Sequence, residues 1–515
     1  MLRSLAKLPR SSTAQHKSFP AATKGWNARD SIADMDPAFA ILMDNFFPTP
    51  SDVMLRKGWT EHATGFPDFV ETVMAYNSAT SADRKMFGIS GTDIYDATAA
   101  GAIGAADVSG LTNARWQHIN FATSAGQFLL LVNAVDTGRM YDTAGGWANW
   151  TVTGTSTAVW ANLNAFKNRV WAVERNSLNA WYLNTDAITG TATKFPLTGV
   201  FKKGGFLQAM ATWTIDAGEG VDDHAVFVTN EGEVAVYKGT DPSSASTFAL
   251  VGVWSLGQPI GRRCFAKLGG DICLILKDGV VPLSRALQSD RMNPKIALTD
   301  NIQQAMSDAA NLYGNNFGWQ LLLYPKGTMM ILNVPVAEND QQQQYAMNTI
   351  NGAWGRFKNI EANCWELFND DPYFGGENYI GKFWDTFSDN DTNVEGQIKQ
   401  AFNYFGDRGT SKFWKRGRPI FASNGQPAIA IGLNTDFRDE EPSGTLTFTP
   451  TTYAIWDTSL WDVGIWGGGL NALTNWQQLS GYGKCAALRI KAACKGLEVR
   501  HQATDYVFDK APGVL

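Results

Sequence analysis

The stretch "NRVWAVERNSLNAWYL" at residues 168–183 carries the pattern on which the fold turns. An apolar run from Val170 to Val173 meets a polar turn at Asn176, and a second run ends in Trp181, Tyr182 and Leu183. Short runs of β-branched and aromatic residues between turn formers predict two antiparallel strands. The same unit recurs in "KMFGISGTDIYD", "QFLLLVNAVDTGRMYD", "HAVFVTNEGEVAVYK", "DICLILKDGVVPLSR", "TMMILNVPV" and "PYFGGENYIGKFWD". The seven units begin near 85, 127, 168, 224, 271, 328 and 372, spaced by 42, 41, 56, 47, 57 and 44 residues. A propeller blade takes about 40–50 residues, and a small sheet with two apolar faces buries itself only by stacking on neighbours. The sequence therefore predicts an all-β protein. Residues 65–395 are expected to form an irregular β-propeller of about five to seven blades.

Outside that region the character changes. Residues 396–515 hold six alternating segments, among them "PAIAIGLNTDF" and "KCAALRIKAACKG", which predict an additional antiparallel β domain. Residues 25–64 form an N-terminal segment in which Asp36 before Pro37 suggests a short helix over 33–47. A second helix is expected at 299–313, where Ile302, Met306, Ala309 and Tyr313 share one face. Residues 1–24 carry Arg3, Lys7, Arg10, Lys17 and Lys24 without an acid, and read as a flexible basic arm.

Composition narrows the function. Among 515 residues, 18% are charged and the formal net charge is −6, which argues against a protein held on nucleic acid by a strong positive field. The 50 glycines, 19 tryptophans and 29 phenylalanines suit strands and turns, not a helical bundle. Five cysteines without a C-x-x-C pair suggest neither a zinc site nor a disulfide framework, and fit assembly in a reducing cytosol. No apolar run reaches the 18 residues of a membrane helix.

Motifs for chemistry are few. No phosphate loop, dinucleotide fingerprint, nucleophile elbow or zincin helix is present. Asp389, Asp391 and Asn393 have calcium-loop spacing, but Val394 replaces the turn glycine and Gln400 the bidentate glutamate. Asp216, Glu219, Asp222 and Asp223 are the candidate carboxylates for a glycoside hydrolase, which needs two of them about 5–10 Å apart. Trp456, Trp461 and Trp466 are candidate sugar platforms. "KFWKRGR" at 412–418 mixes bases with aromatics, as a nucleic-acid strand would require, though strand alternation divides them between two faces. The polar stretch around Gln341, Gln342, Gln343 and Gln344 is expected to protrude as a loop. The expectation is a non-enzyme with no cofactor and no metal.

Several segments in order resemble a known family. They are "KGWNARDSIADMDPAFAILMDNFFPTPSDVMLRKGWTEHATG" at 24–65, "VMAYNSAT" with "MFGISGTDIYDATAAG" within 73–101, "NRVWAVERNSLNAWYL" at 168–183, "NGAWGRFKNIEANCWELFNDDPYFGG" at 351–376 and "WDTSLWDVGIWGGG" at 456–469. Together they look like tail nozzle proteins of short-tailed bacteriophages, related in role to tail tubular B and packaged-DNA stabilisation proteins. The resemblance implies a structural virion protein that forms a hexameric ring at the distal end of the tail, assembled in the host bacterial cytoplasm. The ring would retain the packaged genome, release it on infection, and pass double-stranded DNA without sequence specificity. Expected partners are further copies, the tail adaptor, and tail fibres or other tail proteins. On this reading Gln341 to Gln344 would constrict the lumen, and Arg3, Lys7, Arg10 and Lys17 would dock the adaptor. Six copies would carry roughly −36, so that DNA slides instead of sticking. The alternatives are a glycan-binding, receptor-binding propeller and a glycoside hydrolase.

Overall fold

In the computed structural model, residues 14–216, 221–288, 294–442, 446 and 470–511 are described. The chain divides into two compact units. One comprises residues 1–58, 350–356 and 386–515; the other comprises 59–349 and 357–385.

The second unit is a β-propeller with seven blades among the described residues. Blade 2 takes Gln117–Thr123, Gly126–Val132, Arg139–Asp142 and Gly146–Asn149 in antiparallel order, and blades 3 and 4 repeat this with Trp160–Phe166 and Leu207–Asp216 innermost. Blades 5, 6 and 7 have Phe265–Leu268, Gln320–Tyr324 and Cys364–Phe368 as inner strands. Each of the seven sequence units falls on the second strand of a blade. Those strands lie between neighbouring blades and are covered on both faces: five of the six residues of Lys85–Ser90 and Asp271–Leu276 are buried, and all seven of Met329–Pro335.

The 18-residue strand Trp59–Tyr76 closes the wheel. Its first half pairs antiparallel with Glu377–Phe383 as the outer strand of blade 7, and its second half pairs with Lys85–Ser90 as the inner strand of blade 1. One strand thus serves the last and first blades, and the wheel cannot open without breaking a ladder. Between blades the interior is aromatic. Trp171 of blade 3, fully buried, meets Phe227 and Phe248 of blade 4 at ring separations of 5.7 and 5.8 Å.

Among the described residues the first unit holds two sheets. Lys412–Ser423 lies beside Val499–Lys510, which also receives Gln15–Pro20 in antiparallel register. In the other sheet Phe39–Asp44, Val394–Gln400, Ala486–Cys494 and Ile429–Thr435 follow one another antiparallel. Phe405 centres the core, with the rings of Phe19, Trp414, Tyr506 and Phe508 within 5.4 Å.

Two local expectations are corrected. Residues 39–44 form a strand, not part of a helix over 33–47. The Asp36 side chain does accept from a main-chain N–H, that of Ala38 at 2.8 Å, but this turn launches a strand because no polar helix face follows it in "FAILM". The basic arm is not free throughout its length: Lys17 lies in Gln15–Pro20, opposite Tyr506. Main-chain pairing holds this strand, and among its side chains Phe19 packs on Phe405. Arg3, Lys7 and Arg10 lie outside the described residues. The expected helix near 299–313 is present as Gln303–Tyr313, burying Met306, Ala309 and Ala310.

His501 makes this unit acid-sensitive. Its imidazole is fully buried against Phe421 and shares a 2.9 Å hydrogen bond with Thr504, and burial pushes its pKa down from 6.5 to about 4. A depressed histidine is neutral in the fold, so its contribution is complete above pH 6.5 and is lost as pH falls towards 4. The expected loss over that window is about 3 kcal/mol. Urea titrations at pH 7 and pH 4.5 measure it, and His501→Gln should flatten the profile there.

Candidate functional site: the propeller axis and its mouth

Inner strands of a closed wheel converge on its axis, so their side chains decide what the axis holds. Here they bind one another. Thr72 Oγ1 donates to Ala114 O at 2.6 Å and accepts from Trp116 N, linking blades 1 and 2. Asn162 Oδ1 accepts from Met210 N, linking blades 3 and 4. Gln320 Nε2 donates to Trp365 O at 2.7 Å while its Oε1 accepts from Trp365 N, linking blades 6 and 7.

Among the described residues these inner strands border a recess of about 290 Å³, lined among others by Gln117, Asn164, Phe265 and Trp365. His118 Nε2 and Glu366 Oε2 face each other in it at 3.1 Å. A duplex has a major groove about 12 Å wide by itself and cannot pass such a space. This recess is too small to admit DNA.

One end of this axis is rich in arginine. Inner strands begin at this end and second strands finish at it, so the loops entering blades 2 and 5 bring Arg115, Arg262 and Arg263, and the turn after Arg169–Glu174 brings Arg175. Arg115 is paired with Glu71 at 2.9 Å and with Glu338. Among the described residues Arg263 makes no carboxylate contact: it donates to Glu71 O, Thr72 Oγ1, Trp116 O and Gln320 Oε1. Arg115 and Arg263 both lie over the Phe317 ring, at 4.3 and 5.5 Å. Arg262 donates to Asn133 O at 3.3 Å. Its recessed position, then the charges of Arg175 and Arg115, push its pKa below the usual guanidinium value. Scattered single arginines between strands gave the sequence reading no motif, and this cluster was missed.

The sequence-derived candidates fall elsewhere. Gln341 to Gln344 do not form a protruding loop: Gln342–Asn348 is the third strand of blade 6, with Gln342 and Gln344 buried. Gln344 Nε2 donates to Asn333 Oδ1 at 2.9 Å and Ile360 O at 3.0 Å, and Gln342 Nε2 donates to Ala337 O at 3.1 Å. These N–H bonds make burial tolerable, although Gln344 Oε1 has no hydrogen-bond partner among the described residues, and polarity was misread as exposure. Gln341 is exposed at the preceding turn and Gln343 half-buried. Asp223 bonds Lys167 at 3.0 Å and Thr214 at 2.8 Å. Burial alone would raise its carboxyl, but these hydrogen bonds hold it below the ordinary value, the opposite of what a general acid requires. The side chains of Asp216, Glu219 and Asp222, and Trp456, Trp461 and Trp466, lie outside the described residues. In "KFWKRGR", Lys412 is buried with Nζ on the carbonyls of Asp407, Thr410 and Lys484, while Phe413, Lys415 and Arg416 are exposed. Asp389 of the calcium-spaced run is committed to Arg56.

No family model matches the chain, and no curated protein matches it. Among solved structures it is similar to Raptor of Chaetomium thermophilum, at 9% identity and a TM-score of 0.40, over 64% of this chain; the match spans 29% of Raptor. It is also similar to the β-propeller domain of Cps50 (Swd1) of Myceliophteria thermophila, at 10% identity and a TM-score of 0.38, over 61% of this chain and 100% of that one. The strand pairing itself establishes an all-β protein built on a seven-bladed β-propeller.

Proposed function

We propose that the chain is a structural protein of a short-tailed bacteriophage: a tail nozzle that retains the packaged genome and releases it on infection. The observation that carries this reading is where the family-like segments meet. Residues 24–58 and 351–356, about 300 positions apart in the chain, pair directly, with Gly25 in register with Trp354 and Phe39, and Arg356 with Asp44. Arg356 Nε also donates to the buried Asp44 carboxylate at 2.6 Å. Gly25 has φ +82°, and a Cβ there would come within 2.5 Å of the Trp354 carbonyl, so the close approach requires glycine. Segments that resemble one family thus build one parallel joint, as expected if they were retained together for one structural purpose.

Because the recess within the wheel is too small for DNA, DNA in such a nozzle runs between copies of the chain, and the ring is the functional object. A heterologous interface repeated around an axis closes such a ring. The basic residues Arg3, Lys7 and Arg10 are the proposed contact with the tail adaptor. Virions assembled without the chain are expected to fill and then lose their DNA, measured as nuclease-accessible genome per particle. Full retention in such particles would contradict the proposal.

Glycan binding is the second reading. Phe413 and Tyr482 face each other across two strands and are 48% and 62% exposed, with Trp476 39% exposed. Quenching of tryptophan fluorescence by host polysaccharide would favour that reading over the nozzle.

A further inference from the structure

The arginines at the propeller mouth carry more positive charge than the mouth needs for its own folding. Arg115 is answered by Glu71 and Glu338. Arg263 is satisfied by neutral oxygens alone, Arg262 by one main-chain carbonyl, and Arg175 has no carboxylate within ion-pair distance among the described residues. Glu366 deeper in the recess is engaged with His118. Four guanidinium groups thus face three carboxylates, those of Glu71, Glu338 and Glu366, and among the described residues Arg175, Arg262 and Arg263 have none as a direct partner, in a protein whose net charge is −6. Arg262 and Arg175 also keep contact with solvent.

Like charges gathered in a concave site repel one another, and low-dielectric walls focus their field outward. Guanidinium forks match planar oxyanions bidentately. The neighbouring recess of about 290 Å³ has amides at Gln117, Asn162 and Asn164 and the Trp365 ring in its lining, which accepts the body of a small ligand behind a charged head.

We propose that this mouth is a carboxylate-binding site in which Arg175, Arg262 and Arg263 receive the carboxylates of a ligand small enough to enter the recess. The carboxylates come from an acidic peptide segment of a partner protein or from a free polycarboxylate. The space excludes a nucleic-acid duplex. This assignment is independent of the nozzle reading, since it rests on the second unit alone.

The test uses the full chain at low ionic strength with two probes: fluorescein-labelled hexaglutamate, read by anisotropy, and citrate, read by calorimetry. At least one is expected to bind and to lose at least tenfold in affinity in the Arg175→Ala/Arg262→Ala double variant, whose thermal unfolding should match the parent. Lys194→Ala, an exposed cation on the outermost strand of blade 3, Thr193–Pro196, should change nothing. Tight hexaglutamate with weak citrate assigns the site to a peptide, and the reverse assigns it to a free acid. Absence of binding by both probes, binding unchanged in the double variant, or binding of duplex DNA alone lost in that variant would overturn the proposal.

Discussion

Arg56→Ala is expected to destabilise the unit formed by residues 1–58, 350–356 and 386–515 by about 3–5 kcal/mol, among the largest effects of any single substitution in this chain. The Arg56 side chain has no solvent exposure and that of Asp389 has 9%. Two parallel bonds join them, Nη1 to Oδ1 at 2.7 Å and Nη2 to Oδ2 at 2.6 Å. Nε donates to Asn45 Oδ1 at 2.9 Å, and Asn45 in turn donates to Glu395 O. Truncating Arg56 leaves a buried carboxylate without its counter-charge, and that desolvation is what the variant loses. The companion experiment separates this from a general packing loss: Arg56→Met with Asp389→Leu should recover most of the stability, because a buried ion pair replaced whole by apolar groups is often close to neutral. Urea unfolding of the three proteins checks both values. A double variant as unstable as the single one would refute the account.

Trp171→Ala is expected to cost the propeller about 3–5 kcal/mol. The indole is fully buried among Tyr182, Phe195, Phe227 and Phe248, with ring separations between 5.1 and 5.8 Å. It belongs to a cluster that spans blades 3 and 4, so the void opens at the seam and not within one sheet. Among the described residues its Nε1 has no hydrogen-bond partner, which already costs the native state part of a desolvation penalty. Trp171→Phe should therefore lose much less, about 1–2 kcal/mol, since it removes the orphaned N–H along with some volume. Thermal unfolding of both variants decides this: equal losses would mean that the seam does not depend on the large ring.

The contrast between these sites shows what a sequence can carry. Second strands such as Asp271–Leu276 were legible because a strand covered on both faces becomes an unbroken apolar run. Their uneven spacing also has a physical cause. Between blades 5 and 6 the chain adds the helices Leu283–Gln288 and Gln303–Tyr313, which lengthens that interval without adding a blade. The number of blades was left open because period alone does not say whether the first and last units share a sheet. The dual role of Trp59–Tyr76 decides that, and it depends on pairing across some 300 residues.

The site was far less legible. Arg115, Arg175 and Arg262 stand on three different blades, and only closure of the wheel brings them together. Gln342 and Gln344 illustrate the opposite error, since their amides are polar but spend that polarity on Asn333, Ala337 and Ile360 inside the blade. Pairing of Gln15–Pro20 with the strand Val499–Lys510 was hidden because it is made by main-chain groups that every sequence possesses.

The central claim, that copies of this chain form the ring through which a short tail passes DNA, is tested most directly by imaging virions and averaging the tip of the tail. The account predicts a six-fold ring in which the DNA-wide opening is bounded by several copies, with each propeller axis closed and set away from the tail axis. Single copies or trimers projecting from the side of the tail, or DNA density threading a propeller axis, would contradict it.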